Sequence, residues 1–130
     1  MPFNLSEEQL AQTESALGAR LPDSYRDAMQ QNNGGEAFTG EDDWMFYPIK
    51  DTSDRKRLAR TCNHILHETE ACKGFGHFPT HALAIAGNGL GDQMVLIHES
   101  GRWSEQVFVW RHENGDLQLL AQRFSDLQKQ

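Results

Sequence analysis

Six histidines, two cysteines and nineteen carboxylates in 130 residues are the raw material for catalysis or metal binding, so their spacing decides what they can do. His64 and His67 stand three apart, with Glu68 following, in the order HxxHE. Zinc hydrolases use HExxH, which sets two imidazoles one helical turn apart with the general base between them. HxxHE does not do this and supplies no obvious third ligand, so these residues read as solvated or locally bonded, and no metal is expected. His77 and His81 fall in a loop, and His98 and His112 at strand ends. No nucleophile sits in a recognisable setting beside them, so no catalytic triad can be assembled. The expectation is a protein with no catalytic residue and no cofactor.

Gly87-Asn88-Gly89-Leu90-Gly91-Asp92 has the glycine density of a phosphate cradle. That chemistry needs a helix N-terminus behind the glycines. A strand pattern follows here instead, and no Lys-Ser/Thr closes the motif, so a hairpin or bulged turn is expected. Cys62 falls on an apolar helical stripe and reads as a buried, inert thiol. Cys72, near a helix end, reads as the more exposed of the two, with nothing nearby to activate it.

The remaining chemistry is that of binding. Glu36, Glu41, Asp42 and Asp43 lie within eight residues that contain no Lys or Arg, and Trp44 follows. A cationic protein surface could dock on such a loop, with Trp44 as an apolar anchor. Trp103, in the loop after Gly101, is a second candidate anchor. The partner-binding candidates are therefore Glu41, Asp42, Asp43, Trp44 and Trp103. Other readings stand beside this one. The loop is simply solvated, or it folds over Arg55-Lys56-Arg57, whose cations oppose the dipole at the start of the next helix. Either tryptophan can equally be core. The run from Arg55 to Arg60 suggests nucleic-acid contact, but in a chain of formal net charge −7 it reads as an exposed helix face.

That charge also argues against a general nucleic-acid or anionic-membrane partner, and suits attraction of a basic protein. Composition is globular, with 38% hydrophobic and 24% charged residues. Length fits one domain over residues 1–130. The N-terminus has no basic, then apolar, leader, and no apolar run approaches the ~20 residues of a membrane span. With two unpaired-looking thiols, a cytoplasmic location is expected.

The elements that must position these residues follow from periodicity. Ser6 and Gln9 form a capping box, Leu5 and Leu10 a hydrophobic staple, and Gly18 a stop for a first helix. Pro22 suits the first position of a second helix bearing Tyr25, Ala28 and Met29 on one face, ended by Asn32-Asn33-Gly34-Gly35. Residues 36–43 read as loop and Trp44–Ile49 as a strand cut short or held at an edge by Pro48. A third helix is expected from about 52 to 71, capped by Asp51, Thr52 or Ser53, with Leu58, Cys62, Ile65, Leu66 and Thr69 as its buried stripe. After Pro79 the period changes to two. Strands are expected at 82–86, 93–98, 106–112 and 117–122, and a short helix near 125–129.

Asn114-Gly115 predicts a two-residue type I′ hairpin, because both positions tolerate positive φ. The register would set Trp110 opposite Leu119 and Phe108 opposite Ala121. The face carrying Phe108, Trp110, Leu117 and Leu119 would be the core, leaving the face of Val107, Val109 and Leu120 exposed or partly covered. Helices in the first half and hairpin-linked strands in the second predict an α+β fold with a largely antiparallel central sheet.

Leu21-Pro22-Asp23-Ser24-Tyr25, Asn33-Gly34-Gly35, Leu83-Ala84-Ile85-Ala86, Gly91-Asp92, Val107-Phe108-Val109-Trp110 and Phe124-Ser125-Asp126-Leu127 occur in an order that resembles the SUKH superfamily, the Smi/Knr or cell-wall-assembly-regulator type. The resemblance covers roughly residues 5–128 and matches least over 36–78. It implies an α+β fold and no fixed catalytic residues, with Leu21, Pro22, Tyr25, Gly34, Gly35, Gly91 and Asp92 as architecture. In bacteria it implies an immunity protein that binds and neutralises a cognate polymorphic toxin, often a nuclease or deaminase. Fungal relatives imply a regulatory or scaffolding role instead.

Overall fold

A computed structural model of the chain describes residues 4–39, 42–74 and 76–127. Helix α1 (Glu7–Leu17) starts and stops where local chemistry requires. The Ser6 hydroxyl accepts the Gln9 N–H at 3.3 Å, and Gly18, at φ 75°, donates its N–H to the Glu14 and Ser15 carbonyls. A cap of this kind contributes ~1 kcal/mol. Leu5 and Leu10 are both buried, as a staple requires. Helix α2 (Asp23–Gln31) begins one residue beyond the expected start, with Pro22 as its N-cap. Buried Arg26 ties the two helices together. Its Nε donates to Glu14 at 3.0 Å and its Nη2 to Glu7, while Glu14 also accepts the Leu21 N–H at 2.7 Å.

Residues 36–43 are not simply a loop. They contain β1 (Glu36–Phe38), paired antiparallel with β2 (Asp43–Phe46). Three residues are too few for a period-two pattern to show in sequence, and the partner strand supplies the hydrogen bonds that define β1. Strand β2 stops before Pro48. Ile49 is held instead by the Asn33 side chain, whose Oδ1 accepts the Ile49 N–H and whose Nδ2 donates to the Ile49 carbonyl, each at 2.8 Å.

The expected long helix is two short ones, α3 (Arg55–Arg60) and α4 (Ile65–Cys72). The cap of α3 is Asp54, not Asp51, Thr52 or Ser53; its carboxylate accepts the Arg57 N–H at 2.8 Å. Buried Thr61 ends α3 by donating its hydroxyl to the Arg57 carbonyl at 2.9 Å and accepting the Asp51 N–H at 3.1 Å. His64 then caps α4, with Nδ1 accepting the His67 N–H at 3.3 Å. The break resets the helical phase. Cys62 is exposed and Cys72 buried, the reverse of expectation, and Leu58 leaves the core while Ile65 and Thr69 stay in it.

The other strands are β3 (Ala82–Gly87), β4 (Gln93–Glu99), β5 (Arg102–Trp103), β6 (Val107–Trp110) and β7 (Leu117–Ala121), followed by a 3-10 turn at Phe124–Asp126. All pairings are antiparallel, in the order β1-β2-β3-β4-β6-β7, with β5 against the end of β4. The chain is therefore α+β, with helices early and strands mostly late.

Two hairpins differ from the sequence reading. Of Asn114-Gly115, only Gly115 has positive φ (78°), and Trp110 faces Leu117 and Phe108 faces Leu119, two residues away from the expected register. A type I′ turn needs two residues of positive φ. Here Arg111 pairs with Asp116 across a longer loop closed by the Gly115 N–H on the Arg111 carbonyl at 2.8 Å. A pair of positive φ values occurs instead at Ser100 (53°) and Gly101 (81°), between β4 and β5.

Both faces of the last hairpin carry core: Trp110 is buried and Phe108 partly so, as expected, but Val107 and Val109 on the other face are buried too. Val107 and Val109 join the main cluster, under α1, α2 and Phe124, whereas Leu117 and Leu119 are exposed. Trp110 is buried in a second cluster with Cys72, Phe78, Ala84 and Val95 on the opposite face of the sheet. Helix α4 covers the middle of that face, and Thr69 accepts the Ala84 N–H at 2.8 Å, where the β3–β4 register shifts.

Candidate functional site

The β1–β2 hairpin divides its side chains by strand alternation. Ala37, Trp44 and Phe46 turn inward, and Glu36, Phe38, Asp43 and Met45 turn outward. Trp44 is 1% exposed, with its indole N–H donated to the Thr39 hydroxyl at 3.0 Å. Of its two sequence readings, anchor or core, Trp44 is core and does not present a ring to a partner. The apolar side chains actually on the surface are Met45, 59% exposed, and Phe38, 40% exposed. The alternation itself carried this signal: burying the two aromatics Trp44 and Phe46 places Met45 beside the acids.

Glu36 and Asp43 are exposed on this face, and Glu41 lies outside the described residues. Beside them is a shallow cleft of about 540 Å³, lined by Glu36, Asp43, Met45, Tyr47 and the backbone of Gly87–Gly89. No Lys or Arg is among its described lining residues. Gly87 shapes the floor, because a Cβ there would lie 2.5 Å from the Tyr47 hydroxyl, which donates to Gln93 at 2.9 Å. β1 also leaves one edge of the sheet without a neighbouring strand among the described residues.

Asp42 has a different task. It does not cover Arg55-Lys56-Arg57. Its carboxylate accepts from Arg111 at 3.3 Å and from Asn88 at 3.1 Å. Arg111 also donates to Asp92 at 3.0 Å, and Asp92 accepts the His112 N–H at 3.0 Å and lies 2.8 Å from His112 Nδ1. Burial opposes ionisation of Asp92, but bonds from His112, Arg111 and Asn88 outweigh it and lower its pKa to about 2. The network fastens three turns together and holds the hairpin in place from behind. Gly91, at φ 102°, is required here, because a Cβ would meet the His112 ring at 3.1 Å.

Trp103 lies elsewhere. It is half-buried against the main cluster, edge-on to His98 with ring centroids 5.0 Å apart. It lines an open cleft of about 810 Å³ with Arg20, Asp23, Glu99, Arg102 and Glu105, a mixed-charge setting. The structure therefore does not unite the five sequence candidates. Asp43 is on the hairpin surface, Asp42 and Trp44 support it, and Trp103 is apart.

The histidines do not converge. His64 and His67 sit at the start of α4, where burial, Lys50 and His67 depress the His64 pKa. His77 offers its carbonyl to Trp110 at 3.0 Å, His98 meets Trp103 edge-on, and His112 is bound to Asp92. Among the described residues, no group of three or more His, Cys, Asp or Glu side chains is placed to hold a metal ion. No helix among them is long and apolar enough to cross a membrane.

The sequence model of the SMI1/KNR4 family (SUKH-1) matches residues 4–130. The chain belongs to that family. No curated protein matches the sequence. The SUKH-1 motif residues fall where architecture is decided. Leu21 and Tyr25 are fully buried, Pro22 caps α2, and Gly34 and Gly35 adopt positive φ beside β2. In this SUKH-1 domain Asn33 and Asp92 do more than fill space, since each holds a second segment by hydrogen bonds.

Proposed function

We propose that this SUKH-1 chain is a protein-binding module that docks a basic protein on the outer face of the β1–β2 hairpin. The observation that carries this reading is the exposure of Glu36, Asp43 and Met45 around a cleft whose described lining has no cation, with Phe38 exposed on the same hairpin face. Acids at the rim attract a cationic partner over distance, and apolar side chains between them supply the area that is desolvated on contact. Family membership favours an immunity role: the chain binds a cognate bacterial toxin in the cytoplasm and blocks its active site, with no turnover and no cofactor. A basic nuclease or deaminase domain has the charge this surface fits.

The test is co-expression with the products of neighbouring genes. The wild-type chain should form a salt-sensitive complex with one of them and rescue growth against it. A Glu36→Lys/Asp43→Lys variant should bind about tenfold or more weakly. Failure to bind or protect against any neighbouring toxin defeats the immunity reading. A stable complex without toxicity would instead assign the regulatory or scaffolding role.

A further inference from the structure

We propose that α3 is a second docking surface, and that its occupant is an acidic protein segment carrying an apolar side chain. Residues 50–60 hold five of the chain's twelve Lys and Arg residues. The two carboxylates of that segment, Asp51 and Asp54, are both engaged by Arg57. Lys50, Arg55, Lys56 and Arg60 meet no carboxylate among the described residues and are all exposed. Elsewhere Arg20, Arg26, Lys73 and Arg111 are each paired, and the exposed Arg102 and Arg123, which meet no carboxylate among the described residues, stand singly rather than in a cluster.

Burial does not account for the helix that carries three of these cations, Arg55, Lys56 and Arg60. It has six residues, none of them buried. Arg55 and Lys56 open it, where the dipole disfavours cations, and Lys56 and Arg60 repel at i, i+4. The Asp54 carboxylate already accepts the Arg57 N–H, and binding falls to the side chains. Among the described side chains of α3, Arg57 is the one that reaches the rest of the fold, through Asp51 at 3.2 Å and the Asn4 carbonyl at 3.1 Å, while Thr61 and Thr52 hold the segment at either side. Leu58, 44% exposed, stands among the cations.

An anionic partner relieves this concentration of like charge, and Leu58 selects its kind. Nucleic acid and membrane surfaces are long polyanions that the chain's net charge of −7 repels. A short acidic segment with an apolar residue matches both the cations and Leu58 locally. This surface shares no residue with the hairpin, so it stands independently of the function proposed above.

The experiment titrates a labelled synthetic Glu/Leu helical peptide by fluorescence anisotropy, with a Lys/Leu peptide, a DNA duplex and phosphatidylserine vesicles in parallel. The wild type should bind the Glu/Leu peptide at low salt, with amide shifts confined to residues 50–62 in a heteronuclear NMR titration. Arg55→Glu/Lys56→Glu/Arg60→Glu should bind it about tenfold more weakly, and Leu58→Ser should weaken it severalfold. Unchanged far-UV circular dichroism shows that both variants fold, and Glu36→Lys/Asp43→Lys should leave this binding unaltered. The proposal is overturned by no binding, by equal binding to the variants or the Lys/Leu peptide, by preference for DNA or vesicles, or by self-association through α3.

Discussion

Arg111 Nη1 lies 3.0 Å from Asp92 Oδ2, inside a network that joins the turn before β4 to the turn after β6. Asp92 is ionised in the fold down to a pKa of about 2, well below the ordinary carboxylate value. A folded pKa below the unfolded one adds stability that is complete above the unfolded pKa and lost as pH falls through the folded one. Asp51, whose carboxyl is also lowered by Ser53 and Arg57 against its burial, acts in the same direction. Acid denaturation should therefore steepen between about pH 4 and pH 2. Asp92→Asn should remove ~2 kcal/mol at neutral pH and flatten that limb, as read from urea melts across pH. An unchanged acid limb would show that Asp92 is not so coupled.

Asn33 completes both backbone groups of Ile49 in a buried setting. Asn33→Ala leaves a buried N–H and a buried carbonyl without partners and should cost about 2–4 kcal/mol. Asn33→Asp keeps the acceptor alone and should also destabilise. Chemical denaturation of the two variants against wild type measures this, and losses below ~1 kcal/mol would mean that water replaces the side chain.

Gly101 and Gly115 share nearly the same φ but not the same surroundings. A Cβ at Gly101 meets nothing, whereas one at Gly115 would lie 2.7 Å from the His77 Cβ. Gly101→Ala should cost about 1 kcal/mol from backbone strain alone, and Gly115→Ala clearly more. Asn114→Ala should be mild, because Asn114 is not at positive φ and loses only its bond from the Asp116 N–H. Equal melting temperatures for the two glycine variants would refute the close approach of the 115 turn to His77.

The two cysteines should differ sharply in native thiol labelling. Cys62 is exposed, while Cys72 is buried, with burial and Glu68 pushing its thiol up to about 11. A disulfide reagent should titrate one thiol rapidly in the native protein and the second only on unfolding. Fast reaction of both would place Cys72 at the surface. Cys62→Ser should abolish the fast phase with little loss of stability.

The ends of α1 were legible in the sequence because Ser6 and Gly18 act on backbone groups within one helical turn, although the Gln9 side chain, expected to complete a capping box, accepts from Thr52 instead. The change from helical to strand period after Pro79, the antiparallel α+β class and the family motifs were legible for the same reason: each is a pattern read along a few adjacent residues. The acidic face of the hairpin was half legible. Its charge stands in the sequence, but assigning Trp44 or Met45 to the outside required knowing that β1 exists and pairs with β2.

What only the tertiary structure decided are choices between locally equivalent alternatives. Thr61 stops a stripe that would otherwise continue, because its hydroxyl serves Asp51, ten residues away. Asn114-Gly115 is compatible with a tight turn, yet the Arg111–Asp116 pairing and the packing of Gly115 on His77 select a longer one. Both faces of the last hairpin are apolar enough to bury, and the placement of α4 and Phe124 determines which side chains are covered. Local hydrogen-bond chemistry writes element ends into the sequence, whereas register, helix breaks and the inward face depend on partners that folding brings together from far along the chain.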